Sequence, residues 1–342
     1  MSNKNVLLTG ITGFLGSHTA IRLLEKGYCV TGTLRDAGRA DPIRKVIGQH
    51  TTHLDQLVIK EADLNDREVW FRLAEGMDYI QHIASPFPRT LPKDETKLLQ
   101  EAKQGALNVL EAAAARHVKR VVMTSSTGAV LYGKTEAQLA GTFDETDWTD
   151  VNNLSDTTPY FRSKTLAERA AWDFMEKDES GLELTTVLPA AILGPVLEKD
   201  FGTSANMVIK MLDRSAPALP GIGFDIIDVR SVADLLILCM ESDRSAGERY
   251  IASSGYLTFR DMALILKQQF PDRKIPTVQL PNFMVRLFSN IDPTLKPILV
   301  DLGVERKLDR SKAVKELQWQ PLPAEEAVTS CAKSILDLGI VK

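Results

Sequence analysis

The sequence predicts an α/β fold, a doubly wound parallel sheet with a smaller C-terminal part, on three observations. Short apolar runs alternate with helix-like runs through the first half, a glycine-rich turn separates the first strand from the first helix, and prolines crowd the last third. Strands that alternate with helices are joined by crossovers, so they pair in parallel and carry helices on both faces.

In chain order, residues 6–9 read as a strand and 14–26 as a helix that Gly27 stops. Residues 28–34 and 57–60 read as further strands, 66–75 as a helix and 79–84 as a strand. A long helix over 94–117 leads into a strand over 120–124. Residues 127–157 carry no clear period and read as a long loop, acidic at Asp144, Glu145, Asp147 and Asp150. Loops of that length inside compact domains are often functional, and a solvated surface excursion accounts for the acids equally well. A helix over 160–177 and a strand over 183–188 follow. Beyond them come Pro195, Pro217, Pro220, Pro271, Pro276, Pro281, Pro293 and Pro297, with a strand and helix at 228–240 that return to the first unit.

The chain has 342 residues, 44% apolar and 25% charged, with a formal net charge of −4. That length buries a substantial core without disulfides or metals, and the charge gives no reason to expect nucleic acid or an anionic membrane as a partner. Cys29, Cys239 and Cys331 are odd in number and form no Cys/His cluster, so no metal is expected and free thiols in a reducing compartment are. The apolar run that ends at Thr9 is too short for a signal peptide, and the apolar segment at 235–240 is too short for a membrane span. The expected address is the cytoplasm, as a monomer or homodimer.

Thr9-Gly10-Ile11-Thr12-Gly13-Phe14-Leu15-Gly16 lies between strand and helix. Glycine is needed where the turn is tight or phosphate must come close, and the following helix offers unpaired N–H groups and the positive end of its dipole. Gly10, Thr12, Gly13, Phe14, Leu15 and Gly16 therefore form a candidate pyrophosphate cradle in a Rossmann-type unit. We read residues 1–188, with 225–250 returning, as that dinucleotide-binding domain, and 189–342 mainly as a substrate-binding part.

The second strand ends Thr33-Leu34-Arg35, where an NAD-binding unit would carry an acid for the ribose hydroxyls. Arginine there suits a 2′-phosphate, so NADP(H) is the expected cofactor. Lys45 and Arg39 add nearby positive charge, while Asp36 complicates the pattern unless it serves as a turn or cap. Asp63 and Leu64, after the third strand, stand where an adenine would be flanked; Asp63 would bind its amino group or cap the next helix.

Tyr160 and Lys164 lie four apart and share a helix face. An ammonium beside a phenol favours the phenolate, which would bring tyrosine into proton exchange near neutral pH. Thr124-Ser125-Ser126 sits at the carboxyl end of a strand, where ligands of open α/β sheets bind. One serine there would donate to a substrate oxygen as charge develops; the sequence does not choose between Ser125 and Ser126.

These residues resemble the extended short-chain dehydrogenase/reductases, in particular the group of dihydroflavonol 4-reductase, cinnamoyl-CoA reductase and the yeast methylglyoxal/aldehyde reductases. The resemblance runs through Thr9–Gly16, Arg35, Asp63-Leu64, His82-Ile83-Ala84-Ser85-Pro86, Thr124-Ser125-Ser126, Tyr160 to Lys164, Ala167 to Trp172 and Pro189 to Pro195. It implies NADPH-dependent reduction of an aldehyde or ketone, with Ser126, Tyr160 and Lys164 catalytic. It further implies that Ala84, Pro189, Ile192 and Ser204 line the cofactor, and that 228–234 is structural. Leu131 stands where the plant flavonoid reductases carry asparagine, and Thr158 to Lys164 departs from the cinnamoyl-CoA reductase motif, so a small carbonyl substrate is expected rather than either plant substrate. Pro86, Phe87, Thr127 and Leu131 are the expected substrate contacts. His82 reads as a satisfied core histidine, and Asn108 as either a water-holding relay or a packing residue. A sugar-nucleotide epimerase or dehydratase, which keeps NAD tightly bound, is opposed by Arg35, and a non-catalytic dinucleotide sensor by the presence of both Tyr160 and Lys164.

Overall fold

A computed structural model describes residues 4–86, 94–199, 201–213, 215, 218–290 and 293–341. Its first half runs β1 (Asn5–Thr9), α1 (Phe14–Glu25), β2 (Cys29–Leu34), α2 (Ala40–Gly48), β3 (Leu57–Glu61), α3 (Arg67–Leu73), β4 (Tyr79–His82), α4 (Thr96–Ala115) and β5 (Arg120–Thr124). Then come α5 (Glu136–Leu139), β6 (Thr142–Phe143), α6 (Pro159–Met175), β7 (Glu183–Pro189), β8 (Ala191–Leu193), α7 (Ala205–Leu212), β9 (Gly223–Asp228), α8 (Val229–Glu241) and β10 (Arg249–Ala252). The chain closes with β11 (Gly255–Thr258), α9 (Phe259–Gln269), α10 (Asn282–Phe288), β12 (Lys307–Leu308), α11 (Ser311–Leu317) and α12 (Ala324–Asp337).

Seven strands form one sheet in the order β10-β7-β5-β4-β1-β2-β3, and every pairing in it is parallel. The chain direction across the sheet reverses between β1 and β4, which opens a crevice at their carboxyl ends. Side chains alternate between the faces with period two. Val6 and Leu8 join the core beneath α1, α8 and α11, whereas Leu7, Ile80 and Val121 join the core beneath α3, α4 and α6. This is the doubly wound sheet that the alternation of runs demands.

A three-stranded sheet, β11-β9-β8, shares a third core with α7, α9 and α12. The strand expected at 228–240 differs from expectation. It is β9, it ends rather than begins at Asp228, and it lies in this smaller sheet. Asp228 is instead the N-cap of α8, its carboxylate accepting from the Arg230 N–H at 2.8 Å. Helix α8 and β10 do return to the large sheet.

The stretch 127–157 is more ordered than a loop reading implies. It carries α5, β6 and two 3₁₀ turns. Its acids are not uniformly solvated. Glu145 is buried and its carboxylate accepts from the Ile251 N–H at 2.9 Å, capping the edge strand β10. The Arg249 guanidinium, stacked 3.7 Å over Trp148, donates to the Glu145 and Asp147 carbonyls and ties the segment down.

Candidate active site

The glycine turn is built for close approach. Gly10 has φ +76°, which glycine adopts without a Cβ penalty. A Cβ on Gly16 would lie 2.0 Å from the Gly10 carbonyl oxygen, and one on Gly10 would lie 3.1 Å from the Ala84 Cβ. The Gly10 and Ile11 N–H groups donate to the Thr33 carbonyl, which fixes the turn against β2. Helix α1 starts after Gly13 with no side-chain cap and no acidic residue in its first turn. Its leading N–H groups thus remain available to an anion. Gly13 is exposed and Thr12 half-buried, so the cradle has an open face. The residues present fit a dinucleotide diphosphate.

Arg35 is exposed at the end of β2 and has no hydrogen-bond or ion-pair partner among the described residues. Asp36, next to it, is also exposed. Its carboxylate caps the following turn by accepting from the Gly38 N–H at 2.9 Å. Lys45 is exposed in the last turn of α2, a helix the sequence reading did not anticipate. Arg39 corrects the expectation of added charge, because it pairs with Glu198 at 2.8 Å.

Asp63 is exposed and accepts from the Asn65 N–H at 2.8 Å, while the cap of α3 is Asp66. Asp63 therefore does not cap that helix. Asn108 is buried with both ends engaged. Its amide donates to the Leu64 carbonyl at 2.8 Å and its oxygen accepts from Gln104 at 2.9 Å. These bonds pin the Asp63–Leu64 turn to α4, as the packing alternative expects. Gly105, beside it, lets Leu64 lie close against α4.

Helix α6 begins with Thr158 as cap, its hydroxyl accepting from the Phe161 N–H, and Pro159 at the first position. Successive turns of the helix then meet successive residues at the end of β5. The Lys164 ammonium donates to the Thr124 carbonyl at 3.1 Å, and the Ser125 hydroxyl donates to Glu168 at 2.5 Å. The next serine, Ser126, is the hydroxyl that acts on the Tyr160 phenol and favours its ionised form. Its oxygen already accepts from the Gly128 N–H at 3.0 Å, which leaves its proton to donate. The register thus separates the two serines, Ser125 facing a buried carboxylate and Ser126 facing the phenol.

Electrostatics depart from expectation in one respect. Burial pushes Tyr160 up to about 12, with Ser126 pulling the other way. Lys164 is pushed down to about 8 by burial, with Glu168 opposing. The phenol is therefore protonated at neutral pH rather than a partial phenolate. His82 is a satisfied core histidine, hydrogen-bonded to the Thr9 hydroxyl at 3.1 Å and held neutral by burial.

The remaining expected residues divide. Pro189 ends β7, buried, its carbonyl accepting from the Thr127 hydroxyl at 3.4 Å. Ile192 is half-buried on β8. Ser204 precedes α7, and Gly202 near it lies against Phe14 at the head of α1. Leu131 is buried and packs with Tyr132, Leu188 and Ile251. Thr127 is likewise buried and turned to Pro189, whereas Ala84 and Pro86 keep partly open faces. Phe87 lies outside the described residues. Arg249 was missed by the sequence reading, and Glu168 and Thr9 were named there only as parts of motifs, with no role of their own. The signal for Glu168 was a lone carboxylate among the alanines of 167–171, one turn past Lys164.

Residues 6–252 match the NAD dependent epimerase/dehydratase family. The chain is 33% identical over 337 residues to cinnamoyl-CoA reductase 1 of Petunia hybrida, covering 95% of this chain and 96% of the relative. It is 32% identical over 293 residues to an anthocyanidin reductase of Vitis vinifera, covering 81% and 84%. Among solved structures, a yeast methylglyoxal/isovaleraldehyde reductase complexed with NADPH superposes with a TM-score of 0.81 at 27% identity, covering 97% of this chain and 98% of that one.

Proposed function

The chain belongs to the NAD dependent epimerase/dehydratase family, and from that premise we propose that it is an NADPH-dependent reductase that turns an aldehyde or ketone into an alcohol. The observation that carries the reading is the register of α6 on β5, which pairs Ser126 with Tyr160 and Lys164 with Thr124 at the carboxyl edge of the sheet. Similarity to reductases, one of them complexed with NADPH, supports it.

The glycine cradle would hold the diphosphate of NADPH, with Arg35 at its 2′-phosphate and Asp63, Leu64, Ala84, Pro189, Ile192 and Ser204 as further contacts, and the bound cofactor would supply the hydride for the carbonyl carbon. Ser126 donates to the carbonyl oxygen and orients it. Tyr160, protonated throughout the neutral range, gives its proton to that oxygen as negative charge develops. Lys164 holds positive charge behind the phenol and favours the phenolate left after transfer. Pro86 and Phe87 are taken as carbonyl contacts, and residues 189–342 as the part that covers them. A small aldehyde or α-diketone is the substrate class we favour.

The test is NADPH and NADH oxidation by purified protein against a panel of small aldehydes and α-diketones. Faster oxidation of NADPH than of NADH with at least one carbonyl is expected. No turnover with any carbonyl, together with tightly retained NAD⁺, would overturn the reading in favour of an epimerase or dehydratase.

A further inference from the structure

Glu168 has no exposed surface, yet its carboxylate accepts four hydrogen bonds. They come from Ser125 Oγ at 2.5 Å, Thr186 Oγ1 at 2.8 Å, Arg249 Nε at 2.8 Å and Arg249 Nη2 at 3.3 Å. A buried ion pair is weak evidence for stability, because apolar residues of similar volume often serve as well. Its position is informative instead. Glu168 lies one helical turn past Lys164 and grips the residue between Thr124, which Lys164 holds, and Ser126, which meets Tyr160.

The groups that face Lys164 leave it one source of compensation among the described residues. His82, from β4, is neutral because burial holds it down, and Tyr160 is neutral on the same helix. Arg249, from β10, lies across the carboxylate and shares it. Glu168 is the negative group that acts on the ammonium. We propose that Glu168 is a positioning residue, which keeps Lys164 charged in a water-poor site and, through Ser125, sets Ser126 towards Tyr160. This rests on the catalytic reading above.

The experiment compares pH profiles of carbonyl reduction for the full chain, Glu168→Gln, Ser125→Ala and Tyr160→Phe. Glu168→Gln is expected to move the alkaline limb of kcat down by about one pH unit, the scale of a lost opposite charge, with KM for the carbonyl little changed. Ser125→Ala keeps the charge, so its limb stays while kcat falls roughly tenfold through a misaligned donor. A folded Glu168→Gln with an unmoved limb overturns the proposal. If that variant does not fold, undiminished kcat in Ser125→Ala overturns it. Full activity in Tyr160→Phe sinks the catalytic reading itself, whereas an inactive Tyr160→Phe beside an unmoved Glu168→Gln limb sinks only the role of Glu168.

Discussion

The Thr9 hydroxyl donates to Nδ1 of His82 at 3.1 Å while accepting from the Ile83 and Ala84 N–H groups at 3.0 and 2.9 Å. One side chain thereby joins the ends of β1 and β4 where the sheet reverses, and it fixes His82 as the tautomer with its proton on Nε2. Burial holds His82 down to about 3 and His18 to about 4. In the unfolded chain both take up protons near pH 6.5, whereas the folded chain does not until lower pH. The unfolded state therefore binds more protons between those limits, and stability falls as pH drops through that window. Together the two cost on the order of a few kcal/mol between pH 6.5 and 4. Urea unfolding as a function of pH checks this. His82→Gln should flatten the acid slope by up to about 1.4 kcal/mol per pH unit, and curves parallel to wild type would contradict the assignment.

Gly16 separates a fold requirement from a binding one. Its Cβ would sit 2.0 Å from backbone oxygen, not from a side chain that swings away. Gly16→Ala should lose several kcal/mol, roughly the scale of severe overpacking, and lower Tm with or without cofactor. Gly13 meets only the Gly10 oxygen, at 3.4 Å, and has an open face. Gly13→Ala should fold normally and bind NADPH more weakly. Calorimetric Tm and NADPH fluorescence titration on both variants decide it; equal Tm losses would remove the distinction.

Two arginines close in sequence are predicted to behave differently. Arg35 has no partner among the described residues, whereas Arg39 is paired with Glu198. Arg35→Ala should raise KM for NADPH by about tenfold or more, the worth of a charge-assisted contact of roughly 1.5–3 kcal/mol, and leave NADH unaffected. Arg39→Ala should change neither by more than about threefold, as for a partly exposed pair. Steady-state kinetics with both cofactors is the measurement. A larger loss of preference in Arg39→Ala would transfer the phosphate contact to that residue.

Much of the fold was legible because its signals are local. The strands β1 to β5 and β7 follow from short apolar runs. The candidate catalytic residues were legible because Tyr160 and Lys164 are bound by helical spacing. What escaped the sequence depends on distant pairings. Glu145 looks like any loop acid until β10 places the Ile251 N–H against it. Arg249 looks like a surface cation until Glu168 and Trp148 enclose it. The phenol was expected to titrate lower because spacing shows the neighbouring ammonium but not the burial that outweighs it.

Asn108 illustrates the same point and gives a further test. Both ends of its side chain are engaged, by Gln104 and by the Leu64 carbonyl, although the amide keeps a second N–H and its oxygen a second lone pair. Asn108→Ala should leave a buried carbonyl short of a donor at a cost of about 1–3 kcal/mol, and should loosen the Asp63–Leu64 turn. Weaker NADPH binding with little change in kcat or in its solvent isotope effect is expected. If Asn108 relayed protons, kcat would fall and the isotope effect would change while NADPH affinity held, so a single set of kinetic and binding measurements separates the two roles.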